Sequence, residues 1–306
     1  MPHRDPPLED LTALSLFFLD KFSLDCKNIY LMRSQGNSFL IRVIGCEYQN
    51  EIFSLTQSVL ECFFSVYTKH LVDQFVLLIY VKHSERWNIR FWNCDGSSAK
   101  ACGNGTRCAA HLLYLLECSG SEMVFDGPIG ELNTCVEKGE FEKKSCFVDV
   151  RQGKGRKLSL DFVRKKISKK KWEYFNRIGT HIGLVEFGNF HIIIVVDRDP
   201  VSCIEFYRKH FFESLEDCDC QDFFNISYLN FSSFRNANIA TWERGVGPTP
   251  ACGSAACAAL MVLSEISPVS KILLNFPGGP IWVRYCPKFG YCHKAQSFYD
   301  LDISIP

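Results

Sequence analysis

Two cysteines share one setting in this chain. Cys102 stands in "KACGNG" and Cys252 in "PACGSA"; each follows Ala and precedes Gly and a small polar residue, and the two lie 150 positions apart. The segments that follow, "GNGTRCAAHLLYLLE" and "GSAACAALMVLSEI", read as helices. Each thiol therefore falls at a helix N-terminus, where unpaired N–H groups and partial positive charge collect. A thiol in that position is expected to have a lowered pKa and to be partly thiolate near neutral pH. The glycines let backbone approach a ligand closely. The N–H groups of Gly103, Asn104, Gly253 and Ser254 are candidates to hold a carboxylate. Two such thiols on either side of a carboxylate-bearing carbon would carry out two-base proton transfer. One thiolate takes the α-proton, the other thiol supplies one to the opposite face, and the carbon inverts. The N–H groups would stabilise the charge that builds on the carboxylate. Neither pyridoxal phosphate nor a metal is needed, so the expected cofactor is none.

The elements around these helices are mostly strands. "NIYLMRS", "SFLIRVIG", "FVLLIYV", "NIRFWNC", "SCFVDV", "HIIIVVD", "NANIATW" and "KILLNF" are rich in β-branched and aromatic residues. Both helices are apolar on nearly every side, which predicts burial all round. Strands wrapped around a central helix satisfy that. A second match supports a repeat: "GNSFLIRVI" begins at Gly36 and "GNFHIIIVV" at Gly188, 152 positions later. The expected fold is α/β (α+β), with two pseudo-symmetric domains. Each would be a curled, mostly antiparallel sheet around a helix, with the active site in the cleft between them. The expected boundaries are an N-terminal extension over 1–26, a first domain over 27–148 carrying Cys102, and a second over 149–290 carrying Cys252. Segment 291–306 is a candidate to pack back on the first domain.

Composition narrows the function classes. Thirty-four basic residues balance thirty-four acidic ones, so charge gives no argument for nucleic acid or an anionic membrane. The run "KKISKKKWEYF" reads as a solvated helix face. Sixteen cysteines in 306 residues do not read as a disulfide scaffold, because such scaffolds are short and loop-rich. Cys62, Cys118, Cys135 and Cys146 sit in apolar runs, where reduced thiols act as small hydrophobes. A reducing cytoplasm is the expected location. Cys218 and Cys220 form a lone CxC without a second pair at zinc spacing, so no metal site is expected. The apolar run "LTALSLFFL" is too short to span a bilayer. It reads as an amphipathic helix or an extension rather than a signal peptide.

"NCDGSSAKACGNGTRC" and "ERGVGPTPACGSAAC" resemble the two signature motifs of diaminopimelate epimerase, over roughly residues 28–290. The resemblance implies a cofactor-independent isomerase of lysine and peptidoglycan precursor biosynthesis. Such an enzyme interconverts L,L- and meso-diaminopimelate through two cysteines. Cys102 and Cys252 match the catalytic pair. Gly103, Asn104, Gly253 and Ser254 match the groups that hold the reacting carboxylate and amino group. Asn93, nine before Cys102, matches a substrate-binding Asn, and Glu243 and Arg244 fall at the matching place before Cys252. The family's Arg pairs with the distal carboxylate, a task suited to a planar guanidinium. Asn37, Gln74, Asn189 and Asn225 match further ligand-binding positions, and His191 a supporting one. Proline racemases share the fold, but a His usually follows their first Cys-Gly. The resemblance also implies a homodimer as a candidate assembly.

Four departures from the family's pattern stand out, and those near Asn37 and Gln74 fall on the side that shapes the pocket. Ser38 stands for the usual Asp, Phe190 for Pro and Ala255 for Gly, and the glycines before Asp73-Gln74 are missing. Two alternatives therefore stay open beside the epimerase. One is a broader amino-acid racemase acting, for example, on glutamate. The other is a non-catalytic binding protein on this scaffold.

Overall fold

The computed structural model describes residues 29–45, 72–94, 96–137, 145–212, 223–231, 233 and 235–302. The expected N-terminal extension, Cys62 and the CxC pair lie outside them. The chain divides into two compact units. One holds the described residues up to Val148 and those from Gln296 onward; the other is Asp149–Ala295.

In the first unit, β1 (Ile29–Ser34) and β2 (Asn37–Ile44) form an antiparallel hairpin. Its two-residue turn places Gln35 at φ 52° and Gly36 at φ 78°, the paired positive φ of a type I′ turn. β3 (Gln74–Val81) runs parallel to β2, and β4 (Arg86–Asn93) returns antiparallel to β3. A short β5 (Ser98–Ala99) leads into helix α1 (Gly103–Leu115). β6 (Glu122–Gly127) then pairs parallel with β4, and β7 (Gly130–Val136) pairs antiparallel with β6. β8 (Ser145–Gly153) carries the chain past Val148.

The second unit repeats this scheme. β9 (Arg156–Leu158), α2 (Leu160–Arg164) and α3 (Lys169–Ile178) come first. β10 (Gly179–Phe187) and β11 (Asn189–Val196) form a hairpin, with Gly188 at φ 78° in the turn. After α4 (Pro200–Tyr207), β12 (Phe224–Phe231) runs parallel to β11, and β13 (Asn236–Glu243) antiparallel to β12. A short β14 (Gly247–Thr249) leads into α5 (Gly253–Ile266). β15 (Lys271–Phe276) pairs parallel with β13, and β16 (Gly279–Cys286) antiparallel with β15. β17 (Gly290–Asp302) pairs with β16 through its first residues and with β1 through its last ones. Each unit thus follows one order of pairings, with its long helix between the fifth and sixth strands of the scheme.

Burial explains why both helices are apolar all round. In α1 every residue from Asn104 to Leu113 is buried, and in α5 every residue from Ala255 to Leu263. Ala258, Leu260 and Val262 share one core with Val185, Ile193, Ile239 and Ile281. Small residues let strands close around the helix. At Gly183 an added Cβ would lie 2.4 Å from Val262 Cγ2. β11 reads as one apolar run because both of its faces are covered. Ile193 and Val195 face α5, whereas Ile192 and Ile194 join the core made with Phe175 and Tyr207 of α3 and α4.

Two expectations fail here. The lysine run is not a uniformly solvated face, since Lys171 is buried beside Tyr174 and Phe175. With Ser168 capping α3, the helix turns that lysine inward with its aromatic stripe. Cys118 is not apolar filler; it is exposed in the turn after α1, its Sγ near the Leu116 carbonyl. Short α2 and α4 were not legible as helices beside the strand-rich pattern. No helix among the described residues is long and apolar enough to cross a membrane.

Candidate active site

The first unit gathers its candidate residues at strand ends and one helix start. Cys102 is the N-cap of α1, in extended backbone, and its Sγ accepts the Gly105 N–H at 3.3 Å. Asn104, in the first turn, donates from Nδ2 to Asn37 Oδ1 at 2.7 Å. Asn37 is the first residue of β2, delivered there by the Gln35-Gly36 turn. Gln74 opens β3, and Asn93, its register partner, closes β4. The Gln74 amide donates to Asn93 Oδ1 at 2.8 Å, and Asn93 Nδ2 donates to Ser97 Oγ at 3.1 Å.

Ser38 has a structural account. Its N–H and Oγ both donate to Asp73 Oδ2, at 2.7 and 3.1 Å, and the Asp73 N–H donates to the Ser38 carbonyl at 3.0 Å. These bonds tie the start of β3 to β2 and so fix Gln74 across from Phe39, two residues after Asn37.

The second unit places Cys252 as the N-cap of α5, with Sγ 3.3 Å from Ser254 Oγ. Glu243 ends β13 and accepts the Thr249 hydroxyl at 2.7 Å. The Arg244 N–H donates to Asn225 Oδ1 at 2.9 Å, and its guanidinium lies 3.5 Å from Asn189 Oδ1. His191 and Asn225 are register partners on the parallel strands β11 and β12. Both are buried, and among the described residues neither His191 ring nitrogen nor Asn225 Nδ2 meets a hydrogen-bond partner. Phe190 is half-buried against the aromatic core, its ring stacked on Phe223 at 5.3 Å. The Pro-to-Phe departure therefore serves the aromatic core rather than the turn.

The expectation of an acidified thiol fails at Cys252. Burial, and then the Glu243 carboxylate, push this thiol well above its ordinary value. A helix N-terminus contributes a fraction of a charge and is screened within a turn, whereas desolvation acts on the whole thiolate. Burial likewise holds the Glu243 carboxyl up, against hydrogen bonds from Thr249 and Cys252. Burial pushes the His191 imidazole down to about 3, so it stays neutral at any working pH.

That neutrality has a measurable consequence. Below the ordinary imidazole value of 6.5 the unfolded chain takes up a proton that folded His191 refuses. The resulting stability loss begins near pH 6.5 and grows by about 1.4 kcal/mol per pH unit as the pH falls. Urea unfolding at pH 7.5 and 5.0 should show a drop about 2 kcal/mol larger for the native chain than for His191→Leu. Equal pH dependence would mean that folded His191 accepts the proton after all.

The two clusters occupy equivalent places in the repeated scheme. Asn37 and Asn189 each open the second strand of a hairpin, and Asn93 and Glu243 each close a strand nine residues before the cysteine. Gln74 pairs across from Phe39 as Asn225 pairs across from His191. Cys102 and Cys252 cap corresponding helices. Every residue singled out in the sequence thus lies in one of these two clusters. Arg107 and Ser34 were missed. Arg107 is fully buried and donates to Asn104 Oδ1 and, at 3.2 Å, to Ser34 Oγ. Its only sequence signal is a lone cation in an otherwise apolar helix, three residues after Asn104.

Known structures share this architecture. A predicted epimerase of Pseudomonas aeruginosa superimposes with a TM-score of 0.63 at 11% sequence identity, over 91% of this chain and 99% of that one. Together with the relatives that follow, the fold makes the protein an isomerase of the racemase and epimerase class. No family model matches the chain. The diaminopimelate epimerase of Bartonella tribocorum is 30% identical over 214 residues, 67% of this chain and 70% of its own length. That of Rickettsia rickettsii strain Sheila Smith is 29% identical over 245 residues, 75% and 79% of the two chains. The chain belongs to the diaminopimelate epimerase family.

Proposed function

We propose that this isomerase interconverts L,L- and meso-diaminopimelate by proton transfer between two thiols, in the supply of lysine and peptidoglycan precursors. The observation that carries the reading is the paired Cys-Gly helix start, built twice on one scheme with amide-bearing strand ends around it. Cys102 and Cys252 are the two acid–base groups, and the mechanism requires both to reach one α-carbon. The first N–H groups of α1 and α5 have no i−4 carbonyl partner by helix geometry. Gly103, Asn104, Gly253 and Ser254 bring those groups to the reacting carboxylate and its amino group. Arg244, exposed and held through its backbone by Asn225, takes the distal carboxylate, with Asn189 beside it. Glu243 serves the amino group; burial first, and the Glu243 carboxylate after it, raise the Cys252 thiol, so Cys252 rests protonated and ready to donate.

A test follows the α-proton. Reduced protein is incubated with L,L-diaminopimelate in D₂O, with glutamate in a parallel sample, and both are followed by NMR. The expected result is loss of the diaminopimelate α-signal with growth of the meso form. Exchange with glutamate alone would keep the two-thiol chemistry and move the substrate. Exchange with neither would overturn the reading.

A further inference from the structure

Arg107 is a fully buried cation in a mostly apolar helix, and its partners are specific. The guanidinium donates to Asn104 Oδ1 one turn back along α1 and, at 3.2 Å, to Ser34 Oγ at the end of β1. Ser34 Oγ in turn donates to the Gln296 carbonyl at 2.8 Å. Asn104 then donates from Nδ2 to Asn37 Oδ1 at 2.7 Å.

The chemistry of these groups makes the chain directional. An arginine has donors and no acceptor, so only the amide oxygen of Asn104 can face it. That leaves the Asn104 NH₂ to face Asn37, where only an oxygen can receive it. The Asn37 oxygen is thereby committed, and its NH₂ is the end left to meet other groups. An unaided asparagine amide presents either end with little preference, since the two ends differ only in donor and acceptor character. A buried donor-only cation removes the choice twice in succession.

We propose that Arg107 is a positioning residue that sets the polarity of the Asn104–Asn37 amide pair, so that Asn37 offers its NH₂ to a carboxylate oxygen of the substrate. This rests on the substrate-site reading given above. It accounts for a charge buried one turn behind the reacting thiol. It also assigns Asn37 to an anionic acceptor rather than to the substrate's ammonium. Because the same hydrogen bond forms in the bound and reacting states, its loss weakens binding more than turnover.

The experiment compares Arg107→Lys, Arg107→Gln and Arg107→Met for KM and kcat with diaminopimelate, with thermal unfolding as the check on folding. Lysine is donor-only and keeps the polarity, whereas glutamine can accept from Asn104 and release it. Arg107→Lys is expected to hold KM within about threefold, and Arg107→Gln to raise it about tenfold with kcat changed less than about threefold. Arg107→Met, if it folds, is expected to match or exceed the glutamine variant. A folded glutamine variant with native KM would overturn the proposal, and so would a lysine variant as impaired as the glutamine one. Native protein is assayed first. If it shows no turnover, the substrate-site reading fails and takes this inference with it; native turnover with unaffected variants overturns the relay alone.

Discussion

Replacing either Cys102 or Cys252 by alanine is expected to lower epimerisation about 10²–10⁴-fold, the usual contribution of a positioned acid or base. The fold should survive, because each substitution removes one sulfur and leaves the helix behind it in place. The two losses should not multiply. In the proposed mechanism the cysteines act on one carbon in one event, so the double variant should be little worse than either single one. Each single variant should also keep a distinctive residue of activity. The remaining thiol can still take and return a proton on its own face. In D₂O it should exchange the α-proton of one stereoisomer without inverting it. Cys102→Ala and Cys252→Ala should therefore exchange opposite stereoisomers, which identifies the base used toward each. Near-native turnover in either variant would sink the two-thiol mechanism.

The environment of Cys252 sharpens this expectation. Burial and Glu243 both disfavour its thiolate. A protonated thiol is the right resting state for a donor, and a poor one for a base. When Cys252 works as the base, a positive group must enter to offset Glu243. The substrate's ammonium is such a group. Binding would then lower the thiol's pKa at the moment a base is needed, and would also keep the empty enzyme from carrying a reactive thiolate.

Much of this site was legible in the sequence because local patterns encode it. Gly36 and Gly188 begin the repeated stretches, and the asparagines after them open strands. Ala-Cys-Gly before an apolar segment read as a helix start, and both cysteines are N-caps. All eight strand stretches match strands to within a few residues. What stayed hidden depends on contacts far along the chain. Arg107 meets Ser34 across 73 positions, and nothing local announces it. The upward shift at Cys252 comes from desolvation by the surrounding fold, which outweighs the local helix end. Lys171 looked solvated because its neighbours are lysines, yet the aromatic residues three and four positions on define the buried face. Ser38 looked like a loss until its bonds to Asp73, 35 positions away, were in view.

Gly253→Ala is expected to cost more than a single methyl suggests. A Cβ at Gly253 would lie 2.6 Å from His293 Cε1 and 2.7 Å from its Nε2. That ring is fully buried and sits 3.3 Å from Gln152 Oε1, so it has little room to retreat. The start of α5 must move instead, by about 1 Å to restore ordinary contact, and overpacking of this kind costs about 1–3 kcal/mol. Cys252 is the adjacent residue, so its sulfur moves too. A displacement of about 1 Å in a reacting group costs on the order of 10²-fold in rate. Stability and rate can be separated. Ala255→Gly lies in the same first turn and weakens the helix by about 0.5–1 kcal/mol, yet leaves Cys252 against the same wall. It should turn over at nearly the native rate. Pairing Gly253→Ala with His293→Ala opens the space the methyl needs and should recover much of the lost rate at some further cost in stability. If Gly253→Ala alone turns over like the native chain, the close approach to His293 does not position the thiol.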